Sequence, residues 1–197
     1  MKKVFCLIIS VILCLTLFSC GIDAVPDSDI IRFEMENGGV FYVELYPAHA
    51  PETVKNFKKL VNKGFYDGLT FHRVETDVLI QGGDPEGTGY GGSGKAIKGE
   101  FPSNGFTQNM LKHTEGVISM ARTPDPNSAT SQFFICVTSL PSLDGDYAAF
   151  GKVVQGMDVV RAIASCPVNG SRPIEKQAIK TATIVDSIPS DTDNSEN

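Results

Sequence analysis

Apolar and polar residues alternate one by one where the body of this chain begins: Ile31, Phe33 and Met35 share one face, Arg32, Glu34 and Glu36 the other. A period of two belongs to an extended strand with one buried face, and a helix cannot satisfy it. Asn37-Gly38-Gly39 supplies a hairpin turn, and a second alternating strand runs from about 40 to 46. Strand signals recur at 69–74, 78–81, 117–121, 132–137, 148–154 and 178–188. Only two helices are predicted. Pro51 suits a first helical position, with Val54, Phe57, Leu60 and Val61 at helical spacing up to Gly64, a natural residue just past a helix end. The second helix, 157–164, is short. Many strands with hairpin-like links and two helices predict a closed antiparallel barrel with helical caps.

The length of 197 residues fits one domain. A formal charge of −6, with no unbroken basic run, argues against nucleic acid as a partner. Five cysteines build neither a disulfide framework nor a zinc site, because three fall in the first twenty residues and no C-x-x-C pair occurs. Cys136 and Cys166 remain for the body, where a single bridge between them is possible. The glycines between Gln81 and Pro102 tempt a phosphate-cradle reading. No G-x-x-x-x-G-K-[ST] is present, so a long surface loop is the better expectation.

His49, His72 and His113 are scattered, and no metalloprotease or nucleophile-elbow motif accompanies them. No metal or cofactor is called for. His72 and Arg73 are adjacent on a strand, so their side chains face opposite sides of the sheet. A neutral imidazole enters a core more cheaply than a guanidinium, which predicts a hydrogen-bonded His72 inside and Arg73 outside. Within Ser131-Gln132-Phe133-Phe134-Ile135, a core-facing Phe133 puts Phe134 on an outer face beside the Gln132 amide. Spacing alone does not bring Arg73, Gln81 and Phe134 together.

Phe71-His72-Arg73-Val74, Gln81-Gly82-Gly83-Asp84, Gly116-Val117-Ile118-Ser119-Met120-Ala121, Ser131-Gln132-Phe133-Phe134-Ile135, Leu143-Asp144-Gly145 and Phe150-Gly151-Lys152-Val153 together resemble the cyclophilin signature. The resemblance spans about 30 to 188. It implies a mainly β, closed eight-stranded antiparallel barrel capped by two α-helices, with a proline pocket on its outer surface and peptidyl-prolyl cis-trans isomerase activity. On this resemblance Arg73 is the catalytic arginine and Gln81 its brace. Ala121 and Arg122 lie on the segment whose backbone pairs with a bound peptide, with Gln132 beside it. Leu79, Phe134 and Leu143 line the proline pocket. Val78 stands where relatives commonly carry Phe, Ser142 where an aromatic is common, and Tyr147 where His is common. Val78 is expected to leave a shallower pocket and weak binding of cyclosporin-like ligands. The implied partners are proline-containing polypeptides, met by a monomer.

The N-terminus reads as an address. Lys2 and Lys3 precede an apolar stretch shorter than the roughly 20 residues needed to span a membrane. Leu17-Phe18-Ser19-Cys20 resembles the lipobox of bacterial lipoproteins. That resemblance implies a signal peptide over residues 1–19, a lipid anchor on Cys20, export to the bacterial envelope and a tether over 20–29. Residues 189–197 read as a disordered acidic tail. The alternative function is a catalytically weak lipoprotein that binds proline peptides as a chaperone.

Overall fold

A computed structural model describes residues 26–189 of the chain. The expected signal peptide, Cys20 and nearly all of the expected acidic tail lie outside the described residues.

Eight strands form one antiparallel sheet: β1 (Ile30–Met35), β2 (Val40–Leu45), β3 (Arg73–Glu75), β4 (Leu79–Gly82), β5 (Val117–Met120), β6 (Phe133–Cys136), β7 (Ala149–Gln155) and β10 (Ile179–Val185). Their order across the sheet is β10-β1-β2-β7-β5-β6-β4-β3. The sheet curls until its outer strands approach, but the closed barrel is not a continuous ladder. The edges meet through the segment just before β3: Thr70 bridges Ala178, Gly68 N–H donates to Ile179 O, and Phe71 N–H donates to Gln177 O. Two-residue strands β8 (Val168–Asn169) and β9 (Arg172–Pro173) form a separate hairpin. That hairpin was not foreseen, because two residues carry no period.

Helix α1 (Pro51–Asn62) starts on Pro51 and buries Val54, Phe57, Leu60 and Val61, as its spacing requires. Gly64 follows at φ +64, a left-handed conformation that glycine adopts without Cβ strain. Ala50 precedes α1 and gives no side-chain cap. Glu100 caps from outside instead, accepting from Glu52 N–H at 3.0 Å, Thr53 N–H at 2.8 Å and the Thr53 hydroxyl at 2.7 Å. Helix α2 (Met157–Ala164) buries Val160, Ile163 and Ala164.

The inner face of the curled sheet is filled with rings. Phe33 stacks on Phe41 with centroids 4.8 Å apart, and Phe133 meets Phe57, Tyr66 and Phe71 edge-on. Tyr66 satisfies its hydroxyl by donating to Ser131 O. Aromatic rings fill the interior, and the grooves around Arg73, Gln81 and Gln132 lie outside it. The residues just before β1 are held as well: Lys58 Nζ donates to Asp27 O and the Asp29 carboxylate. Cys136 and Cys166 are both free thiols.

Candidate active site

Strand register assembles what spacing could not. Arg73 pairs with Gln81 across β3 and β4, Gln81 with Phe134 across β4 and β6, and Phe134 with Ser119 across β6 and β5. Directly paired residues point to the same side of a sheet, so Arg73, Gln81, Phe134 and Ser119 form one row. It is the outer row, since Val74, Ile80, Phe133 and Ile118 between them are core residues.

The row carries a hydrogen-bond relay. Arg73 Nη1 donates to Gln81 Oε1 at 2.9 Å, and Gln81 Nε2 donates to Gln132 Oε1 at 2.9 Å. Gln132 Nε2 in turn donates to Gly89 O at 3.0 Å and Gly91 O at 2.8 Å. Each amide orientation is fixed by the next bond, so the guanidinium is aimed by a chain rooted in backbone. Glu75, two residues along β3 on the same face, accepts from Arg73 Nε at 3.2 Å and Nη2 at 2.9 Å. Sequence reasoning missed Glu75, although an outward i+2 carboxylate on the same strand was the available signal.

The other expected residues divide by place. Gln81, Ala121, Arg122 and Gln132 line one outer groove of about 400 Å³, walled by Gly89 to Gly92 of the glycine-rich loop. Arg73 and Gln81 line an adjoining cleft with His72, Tyr90 and Arg172. Ala121 N–H donates to Gln132 O, which holds the two edges of the groove together. Leu79 lies two residues before Gln81 and faces out with it. Val78 sits in the β3–β4 hairpin, Leu143 ends a 3-10 turn at Pro141–Leu143, and neither lines these two grooves. Ser142 is exposed on that turn.

Phe134 stands in the outer row, as expected. It is on the outer face but only 4% exposed. His113 stacks on it at 5.9 Å and 16°, and Tyr147 meets it edge-on at 5.8 Å. Arg122 lays its guanidinium 4.6 Å over the Tyr147 ring and donates to Asp146 O, so it braces Tyr147. His113, missed as a site residue, is held at Nδ1 by Asp144 and at Nε2 by the Ser119 hydroxyl. Burial lowers its pKa, partly offset by Asp144.

His72 is buried as expected; the Thr70 backbone lies beside its ring, but neither ring nitrogen makes a hydrogen bond of full geometry among the described residues. The nearby Asp84 carboxylate is already taken by Glu86, Thr88 and Gly89 N–H groups. Burial lowers the His72 pKa. Asp84 has its pKa raised by burial and lowered by those backbone donors, with lowering the net result. A Cβ on Gly91 would stand 2.1 Å from Asp84 Oδ1, so that approach requires glycine.

Curled sheet, packed interior and an arginine-tipped outer row describe a barrel that works on its outside. The sequence profile described as "Cyclophilin type peptidyl-prolyl cis-trans isomerase/CLD" matches residues 30–184. Peptidyl-prolyl cis-trans isomerase CYP18-2 of Arabidopsis thaliana is 42% identical over 150 residues, covering 75% of this chain and 89% of that protein. Peptidyl-prolyl cis-trans isomerase B of Bacillus subtilis is 45% identical over 133 residues, covering 68% and 89%. A crystal structure of a cyclophilin type isomerase from Cryptosporidium parvum aligns with a TM-score of 0.73 at 36% identity, covering 82% of this chain and 99% of that one. The chain belongs to the cyclophilin-type peptidyl-prolyl cis-trans isomerases. Its reaction is the rotation of X–Pro peptide bonds.

Proposed function

We propose that this isomerase works outside the cytoplasm, tied to the bacterial membrane by lipid on Cys20, and turns X–Pro bonds in exported or envelope proteins, with Arg73 as catalytic residue. The observation that carries the site assignment is the relay from Gly89 and Gly91 through Gln132 and Gln81 to the guanidinium. Leu17-Phe18-Ser19-Cys20 supports the anchor. A related structure determined in the presence of the dipeptide Ala-Pro supports a proline-containing ligand.

The uncatalysed bond rotates over about 18–20 kcal/mol, because amide resonance holds it planar. An apolar surface beside Leu79, Phe134, Leu143 and Tyr147 disfavours the charge-separated planar form. As the bond twists, the prolyl nitrogen becomes pyramidal and regains a lone pair, which Arg73 can hydrogen-bond. Such a charge-assisted bond, stronger in the twisted state, supplies about 1.5–3 kcal/mol. Gln81 and Gln132 hold the donor so that it need not reorganise. Backbone at Ala121 and Arg122, beside Gln132, keeps the peptide still while its far end turns. Cyclosporin-like ligands share this surface and bind weakly beside Val78.

The competing reading is a proline-peptide binder with little turnover. Ser142, exposed and without a ring, favours it. A protease-coupled isomerase assay separates the two: the active reading expects acceleration that Arg73→Ala removes, and binding without acceleration overturns it. For the anchor, labelled fatty acid should enter the wild-type chain and not Cys20→Ala; equal labelling of both overturns the lipobox reading.

A further inference from the structure

Helix α1 turns its apolar stripe inward and leaves lysine outside. From Pro51 through Lys63 there are four lysines against one carboxylate, Glu52, a net of +3 within a chain of net −6. Lys55, Lys59 and Lys63 recur four apart, form one ridge and are exposed. Among the described residues, no carboxylate lies within ion-pair distance of Lys59 or Lys63, and Glu52 only reaches Lys55 at 4.0 Å. Lys58 is different. Its side chain, 11% exposed, holds Asp29 at 3.0 Å and so pins the incoming chain to the helix. Pro26, Asp27 and Asp29 join Pro47, Pro51 and Val54 around a groove that the four lysines rim.

That geometry fixes where an anchor would lie. Cys20 precedes Pro26 by six residues, and a fully extended chain covers about 3.3–3.6 Å per residue, so the two are at most about 22 Å apart. The lysine ridge therefore cannot stray far from whatever surface holds Cys20. We propose that this face of α1 docks on anionic phospholipid headgroups of the anchoring membrane and sets how the isomerase stands on it; this rests on the lipid-anchor reading. The lysines supply opposite charge at the one place where the tether guarantees proximity, while the acidic remainder of the surface is repelled by the same membrane.

The test uses the acylated full-length protein, extracted from membranes and reconstituted in phosphatidylcholine vesicles with or without phosphatidylglycerol. An amine-reactive reagent and mass spectrometry read the labelling of each lysine. Lys55, Lys59 and Lys63 should label about fivefold more slowly when phosphatidylglycerol is present, an effect that high salt removes. Lys112 and Lys176, both exposed and outside α1, should label alike on both vesicles. A Lys59→Glu variant should keep full isomerase activity and weaken the lipid dependence of labelling at Lys55 and Lys63. The mass of the N-terminal peptide reports acylation in the same sample. Even labelling on an acylated chain overturns the docking surface and leaves the anchor standing; an N-terminal peptide without acyl chains overturns both.

Discussion

Arg73 is gripped on two edges, by Gln81 at Nη1 and by Glu75 at Nε and Nη2, and its side chain stays half-exposed. Arg73→Ala should lower kcat/KM by about ten- to a hundredfold, the loss of one charge-assisted bond in the twisted state. Its folding stability, read by urea unfolding, should change by less than ~1 kcal/mol, because the side chain lies outside the core. Arg73→Lys should fall close to Ala, since an ammonium cannot hold Gln81, Glu75 and a prolyl nitrogen with one rigid fork. Glu75→Gln tests the second edge. The pair is exposed on both sides, so the loss in kcat/KM should be only about two- to fivefold. Val78→Phe should tighten cyclosporin-like ligands and raise kcat/KM, as a ring at the hairpin widens the apolar surface beyond Leu79; equal affinities in a titration would show that residue 78 does not shape the site. Residue types were legible in the sequence. Their partners were not, because Gln132 and Glu75 meet Gln81 and Arg73 only through register and side-chain rotamers.

Strands and helices with a period of their own could be read directly. Ile31, Phe33 and Met35 are buried in alternation in β1, and Pro51 and Gly64 bound α1 and its cap. The glycine-rich loop could not be read, since its order comes from side chains rather than from its own pattern. Asp84 gathers three backbone N–H groups near its start, Gln132 holds the carbonyls of Gly89 and Gly91, and Glu100 caps α1 at its far end. The cover over Phe134 could not be read either, because Tyr147 and His113, which pack on it, are distant in sequence. Glu100 gives the sharpest test at this scale. It is 3% exposed, and its charge is compensated by the positive end of α1. Glu100→Gln keeps the shape but replaces one acceptor oxygen by a donor that would face a backbone N–H. Unfolding in urea should show a loss of about 1–3 kcal/mol, and a loss under a few tenths would mean that the helix start is capped by water instead.

For the whole molecule, pH should separate stability from activity. His72 and His113 are both buried and both have pKa values lowered chiefly by that burial. In the unfolded chain each returns to about 6.5, so the unfolded state binds protons more readily and acid favours it. Their contribution is fully present above about pH 6.5 and is lost progressively as pH falls through the lower, folded values. Asp84 and Asp144 act in the same sense further down. Burial raises both, but backbone donors bring the net pKa below the ordinary carboxylate value, and the stability they add is lost as pH falls below about 4. The urea midpoint should therefore be level from pH 8 to about 7, decline below about 6.5 and fall more steeply in acid. His72→Asn should flatten the first part of the decline, and it sacrifices no hydrogen bond recorded among the described residues. Catalysis should follow none of this while the fold persists: rotation about the X–Pro bond transfers no proton, so kcat/KM should stay level between about pH 6 and 8. A rate that fell with a single titration below about 6.5, in a protein still folded by circular dichroism, would mean that one of these buried histidines has reached the reacting bond and that the Arg73 relay is not the whole of the catalytic apparatus.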